Sequence, residues 1–281
     1  MKILKLLKDK RNLIHFKDFF KSTKNRKFES IDVVFTLDLE KDLENKFDIK
    51  QLSKILDMLK DYGAGTFFIE SSLLKEYSFD LGKNEAASHG YGHLALGDDW
   101  WVNDSEKSKN RIKNIKKSNE LIKSKFGKSP VSFRCPKFSK GKNINNILFE
   151  LGYKYDSSSN PHNGENFPKK KNNILEIPVS RFYKPNFKFK KGIPFLDYNS
   201  LMFSRLKMQG ADSFFETTKK IIGSWKGSEV PLINFMCHNW DFKTEEDFKL
   251  MKEYFDLLKK EYKSNFITLK EYGDKFNNDK S

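Results

Sequence analysis

Cysteine is almost missing from this chain: Cys135 and Cys237 are the two thiols in 281 residues. Two cysteines cannot build the disulfide framework of a small secreted scaffold, and no paired-cysteine zinc motif is present. Both read as small buried fillers, one next to Arg134 and one next to His238. Long apolar runs are missing too, since none approaches the roughly 20 residues of a membrane span. The start, Met1-Lys2-Ile3-Leu4-Lys5-Leu6-Leu7-Lys8, is broken by lysine too often for a signal-peptide core, so a cytoplasmic protein is expected. Hydrophobic residues, at 37%, fall below the usual share, and the 27 phenylalanines are expected to supply much of the core volume.

Positive charge is in excess. The 53 Lys and Arg against 38 Asp and Glu leave +15, a balance that attracts anionic lipid, nucleic acid or an acidic polymer. The lysines are spread along the whole length, so no nucleic-acid surface is expected. Residues 1–30 interleave Leu4, Leu7, Leu13, Ile14, Phe16, Phe19 and Phe20 with Lys and Arg. They form a short basic helical extension that either packs on the main domain or lies on an anionic membrane surface or a partner.

From residue 31 apolar runs alternate with helical patterns. The runs Ile31–Leu37, Thr66–Ile69, Ala86–Ser88, Val131–Arg134, Tyr153–Asp156, Ile174–Val179, Leu232–Cys237 and Phe266–Leu269 predict strands. Helices are predicted over Ile49–Tyr62, Ser105–Phe126, Asn143–Leu151, Ser213–Trp225 and Glu245–Tyr262, with Gly63, Gly127 and Gly152 as C-terminal caps of three. Residues 157–172 and 183–211 read as irregular, and the tail after Phe276 as polar and frayed. The alternation predicts an α/β fold with a parallel sheet, open or closed into a barrel. In such barrels reactive groups collect at the carboxyl ends of strands. Asp38, His89, Arg134, Asp156 and His238 all fall at or just after such ends.

The chain has five histidines, and two stand four apart in Ser88-His89-Gly90-Tyr91-Gly92-His93. Neutral imidazole is the commonest protein ligand for zinc, and two at this spacing reach one ion. One carboxylate from Asp38 or Glu40 makes a third ligand, leaving the other to take a proton from water. His238 is placed to protonate a leaving group, and Arg134 to hold the base ionised. A backbone N–H near Tyr155 or Asp156 is a candidate oxyanion donor. Trp240 and the Trp100-Trp101 pair are candidate walls of a sugar groove.

These motifs, in order, resemble the polysaccharide deacetylases, the NodB-homology carbohydrate esterases. Thr36-Leu37-Asp38-Leu39-Glu40 resembles the family's first motif and Ser88–His93 its His-x-x-x-His. Arg134-Cys135-Pro136-Lys137-Phe138 resembles the third motif, Gly152–Ser158 the stretch around the fourth, and Phe235-Met236-Cys237-His238 the fifth. The resemblance runs from about residue 31 to 272. It implies a distorted (β/α) barrel over 31–276, preceded by the 1–30 extension and followed by a polar tail, 277–281. It also implies metal-dependent removal of an acetyl group from an N-acetylated carbohydrate. On it, Asp38 is the base, Glu40, His89 and His93 hold one divalent ion, most often zinc, Arg134 orients Asp38, and His238 is the acid. Asp156 supports a site side chain.

Two departures stand out. Glu40 occupies a position that is Asp in many members, which keeps Asp42 open as a substitute ligand. Gly90 and Gly92 flank Tyr91 and lower the helical order of the histidine segment. Two other functions remain open: the same barrel hydrolysing a non-sugar amide or cyclic ureide, and a non-catalytic module binding a glycan or anionic polymer.

Overall fold

A computed structural model describes residues 26–97, 111–141, 144–159, 167–190, 193–225 and 230–278. The expected extension therefore lies outside the described residues except for residues 26–30. Among the described residues no helix is long and apolar enough to cross a membrane.

The first strand, β1 (Ser30–Leu39), is buried along nearly its whole length, as the central strand of a covered parallel sheet must be. The others follow in chain order: β2 (Gly65–Ile69), β3 (Glu85–Ser88), β4 (Ser132–Phe133), β5 (Tyr155–Asp156), β6 (Lys169–Lys171), β7 (Ile174–Glu176), β8 (Arg181–Lys190), β9 (Ile193–Ser200), β10 (Leu232–His238) and β11 (Lys263–Phe266). The main sheet runs β10-β1-β2-β3-β4-β5-β7-β6, with β11 on the early half of β1. Its pairings are parallel except β6 with β7.

Register decides where the chemistry sits. Asp38 lies opposite His238, Leu39 opposite Ile69, Ile69 opposite Ser88, Ser88 opposite Phe133, and Phe133 opposite Asp156. Strand ends are thus aligned across the sheet, and His89 and Arg134, each one residue further on, become neighbours. The curl is completed by single residues rather than a ladder: Ser180 N–H donates to Asn234 O, and the Asn234 side-chain amide donates to the carbonyls of Ile177 and Pro178. The product is a curled half-barrel of mostly parallel strands with helices, the distorted barrel expected.

The helices are α1 (Ile49–Lys60), α2 (Arg111–Phe126), α3 (Ile144–Glu150), α4 (Phe203–Gln209), α5 (Ala211–Gly223), α6 (Glu245–Glu261) and α7 (Leu269–Asn278). In α1 the buried residues Leu52, Ile55, Met58 and Leu59 keep three- and four-residue spacing, so one stripe faces the sheet. Asp48 caps it by accepting from Lys50 N and Gln51 N. The largest core cluster lies between α1, α4, α5, α6 and the sheet. Phenylalanine supplies much of it: Phe35 stacks on Phe235, and Phe214 meets Tyr254 edge-on.

Several local expectations change. The last strand is Lys263–Phe266, not Phe266–Leu269, because Leu269 opens α7. Thr268 Oγ1 accepts from Glu271 N while the Glu271 carboxylate accepts from Thr268 N, a capping box that starts a helix there. That helix carries Asn277 and Asn278, so the tail is ordered two residues beyond Phe276. The stretch 183–211 is not irregular: β8 and β9 form a hairpin, shifted in register between Lys184 and Phe187, where Pro185 has no N–H to give a ladder. Within 157–172, β6 joins β7 through Asn172 and Asn173, both at positive φ, as the tight hairpin turn requires. Gly127 and Gly152 do end helices in the left-handed region. Gly63 ends α1 by donating its N–H to Leu59 O without a positive φ, and it pairs with Phe266, where a side chain would collide.

That contrast is measurable. A methyl at residue 63 would stand 2.4 Å from Phe266 O and 2.6 Å from Phe266 Cβ, whereas one at residue 127 meets nothing within 4 Å. Gly63→Ala is expected to cost roughly 3 kcal/mol in urea unfolding. Gly127→Ala is expected to cost only its left-handed conformation, about 1 to 2 kcal/mol. The reverse ranking would contradict the close approach.

Candidate functional site

Asp38 and Glu40 are two apart at the end of β1, so their side chains leave the strand on the same side. Both are buried. His89 reaches them from the end of β3, its Nε2 at 3.8 Å from Asp38 Oδ2 and 3.7 Å from Glu40 Oε2. His93 Nε2 stands 2.5 Å from the same Glu40 oxygen. The segment between the histidines is a turn, with Gly90, Gly92 and His93 all at positive φ. Glu70 takes Gly92 N–H and Asn114 takes Tyr91 N–H, and these acceptors hold the turn.

The donor set suits a cation. Single ligand atoms of Glu40, His89 and His93 lie within 4.8 Å of one another. His89 Nδ1 is 2.8 Å from Arg134 O. A carbonyl only accepts, so Nδ1 carries the hydrogen and the Nε2 lone pair faces the acids. Burial lowers the His89 pKa despite Asp38 and Glu40, favouring the neutral, ligating imidazole. Glu40 Oε2 is buried without a hydrogen-bond partner, its contact with His93 lacking hydrogen-bond geometry. A buried carboxylate oxygen left so is costly unless a cation or donor meets it. Two imidazole nitrogens and one carboxylate are an open-sided zinc-type set, and other divalent transition metals fit it. Asp42 does not join it, because its Oδ1 accepts from Glu44 N and Lys46 N.

Arg134 is fully buried beside this cluster. Its Nη1 donates to Asp38 Oδ1 at 2.7 Å, Nη2 to Thr36 Oγ1 and Ser157 Oγ at 2.9 Å each, and Nε to Ser157 O at 3.3 Å. The Phe68 ring lies under the guanidinium at 4.2 Å. Burial alone would raise the Asp38 pKa; Arg134, with His89 and His238, outweighs it and holds the carboxyl below the usual range.

His238 closes the other side, with Nε2 at 3.7 Å from Glu40 Oε1. Its ring stacks on Trp240, centroids 4.6 Å apart and planes within 10°. Nδ1 faces Asp241 Oδ2 at 3.4 Å, and that oxygen also accepts His238 N–H at 2.7 Å. Burial works to lower the His238 pKa, but Asp241 and the site carboxylates raise it overall. Asn239 Oδ1 accepts Glu40 N–H at 3.0 Å. Four consecutive residues, His238 to Asp241, thus fix both an imidazole and the main chain of a candidate ligand. Asp241 and Asn239 escape sequence reasoning; the signal is an acid three residues after a histidine at a strand end.

Other sequence expectations fare differently. Asp156 sits on the same rim, but its carboxylate is taken by Lys140 Nζ at 2.5 Å and by Ser158 N–H at 3.0 Å. Lys140 also pairs with Glu176, a buried carboxylate at the end of β7 that burial and Asp156 push up to about 8 against the pull of Lys140. The Asp156 carboxylate connects to the centre through Ser158, whose Oγ accepts Cys135 N–H. Tyr155 does not serve as expected: its N–H donates to Val131 O, and its ring, on the opposite side of β5 from Asp156, is buried against α7. Trp240 has one face covered by His238. Trp101 lies outside the described residues. Cys135 and Cys237 are buried, form no disulfide, and fit the filler reading.

Residues 33–155 match the family described as polysaccharide deacetylase. Three solved structures share the fold. A Mycobacterium smegmatis protein provisionally described as a polysaccharide deacetylase is 16% identical, with 90% of this chain and 92% of that one covered and a TM-score of 0.65. The Puue allantoinase is 14% identical over 87% and 89%, with a TM-score of 0.58. A Bacillus anthracis pseudoenzyme of the CE4 family is 14% identical over 89% and 66%, with a TM-score of 0.50. No curated protein sequence matches. Residues 33–155 thus match the family that the motifs resemble, and the fold is the NodB-like half-barrel of these structures.

Two experiments probe that geometry. Zinc added to metal-free protein is expected to raise the melting temperature by mass action and to bind at one equivalent by elemental analysis, and His89→Ala/His93→Ala is expected to abolish both. Arg134→Met is expected to cost about 3 to 5 kcal/mol in urea unfolding because Asp38 would be left buried without its counter-charge. A loss below about 1 kcal/mol, the range of exposed pairs, would mean that the pair is solvated.

Proposed function

We propose that the chain is a metal-dependent hydrolase of an amide C–N bond, with an N-acetylated sugar of a glycan, glycolipid or sugar precursor as substrate. One observation carries this reading: a Glu40–His89–His93 ligand set on one rim with a carboxylate held by arginine and an imidazole held by aspartate. A divalent ion held there supplies Lewis acidity and an acidified water when bound.

The rest is done by the chain. Asp38 Oδ1 is committed to Arg134, so Oδ2, facing His89, is the atom that takes the proton from the attacking water. Arg134 keeps Asp38 ionised before that step and orients it through the bonds to Thr36 and Ser157. His238 presents Nε2 toward Glu40, with Nδ1 turned to Asp241, and delivers a proton to the departing nitrogen. Asp241 and Trp240 restrict the ring to that orientation. Asp156, through Ser158 and Cys135, steadies the strand end that carries Arg134. The basic extension, residues 1–30, is proposed to bring the enzyme to an anionic membrane surface.

The family match supports a deacetylase-type hydrolase, and the allantoinase neighbour keeps a non-sugar amide or cyclic ureide as a second reading on the same barrel. The pseudoenzyme neighbour recommends a direct test of turnover. This chain retains both proton-transfer side chains, which favours an enzyme over a binding module.

Acetate release from N-acetylglucosamine oligomers, with the protein zinc-loaded, is the direct assay. Asp38→Asn is expected to lower kcat by about 10³-fold with metal content unchanged. Asp241→Ala is expected to lower kcat roughly 10- to 100-fold, as loss of a group that orients a working imidazole does, with Asp241→Asn retaining more. Undiminished acetate release by Asp38→Asn would remove that residue from the mechanism.

A further inference from the structure

An open groove of about 760 Å³ begins at the edge of the site. One part of its wall is Asn239 and Trp240, whose side chains accept the Glu40 N–H and stack on the His238 ring, so the groove and the site share these two residues. Its outer wall is the β1–α1 loop with the first turn of α1, and Tyr77 adds a second aromatic ring.

The charges along it are unequally available. Two acids line it, and one oxygen of each accepts from the main chain: Asp42 Oδ1 from the N–H groups of Glu44 and Lys46, and Asp48 Oδ1 from those of Lys50 and Gln51 as the cap of α1. Lys46 is paired with Glu44. Lys50 and Lys243 are exposed on the groove and enter no ion pair among the described residues. The groove therefore offers aromatic surface and two ammonium groups outside any ion pair among the described residues, beside two carboxylates that keep their charge while one oxygen of each is held by main-chain N–H groups.

We propose that this groove holds the part of the substrate flanking the reacting N-acetyl unit, and that Lys50 and Lys243 select a flanking sugar bearing a carboxylate. This rests on the sugar-amide reading above. Ammonium–carboxylate hydrogen bonds are charge-assisted, and at an exposed site they act at contact range and weaken with salt. A neutral chain gains only the aromatic contact.

The test is calorimetric titration of the full chain in an Asp38→Asn background, which prevents turnover, at low salt. One ligand is a tetrasaccharide alternating N-acetylglucosamine with glucuronate; the other is the neutral tetramer of N-acetylglucosamine. The carboxylated ligand is expected to bind about tenfold more tightly, the effect of two modest exposed ion pairs. Lys50→Gln/Lys243→Gln is expected to reduce that preference to about twofold or less without weakening the neutral ligand, since only the charged contacts are removed. Lys249→Gln/Lys252→Gln, which removes equal charge from the exposed face of α6, is expected to leave the preference intact. Equal affinity of the unsubstituted groove for both ligands would overturn the proposal and spare the hydrolase reading. So would an equal effect of the α6 pair, which would trace the preference to net charge. Binding of neither tetrasaccharide would overturn the proposal together with the sugar-amide reading.

Discussion

The buried pair of Arg134 with Asp38 is the constraint around which the rest of the site is arranged. Two charges taken out of water lose several kcal/mol of solvation each, and their attraction repays this only when every remaining donor is met. Here Thr36, Ser157 and the Phe68 face meet the other edges of the guanidinium, and Asn234 in turn holds Ser157. Asn234 is also the residue that joins the two edges of the curled sheet. The hydrogen bonds that satisfy the arginine are therefore continuous with those that close the barrel, so the site charge and the closure of the sheet depend on each other.

Much of this was legible in the sequence because parallel strands are written as buried apolar runs and reactive groups follow their ends. Ile31–Leu37 and Leu232–Cys237 are such runs, and Asp38 and His238 follow them in register with each other. Histidines are few, so His89 and His93 could be set beside those acids by their order alone. What the sequence hid was mostly held by side-chain to backbone bonds, which leave no periodicity. Asn239 reaches back 199 residues to Glu40, and no spacing rule predicts that contact. The capping box at Thr268–Glu271 and the Asn172-Asn173 turn were written plainly, but apolar neighbours masked the first and a lysine-rich run the second.

Tyr155 shows the limit of reasoning from position. It lies at a strand end on the same rim as Asp38, yet the two-residue alternation of a strand sends its side chain to the face opposite Asp156, into the core beside α7. Strand-end placement identifies a neighbourhood, and the alternation within the strand decides which residue enters it.

Charge sets the remaining division of labour. Within the centre, Asp38, Glu40 and Asp241 face one arginine and three imidazoles, and burial lowers the pKa of His89 among them, which favours its neutral, cation-binding form. The chain as a whole carries +15. A surface field of that sign repels free cations and concentrates anions, so any attraction for a cation at the centre has to come from the local donors. The acids bordering the groove do local structural work as well: one oxygen of Asp48 caps α1, and one oxygen of Asp42 holds the β1–α1 loop through the N–H groups of Glu44 and Lys46.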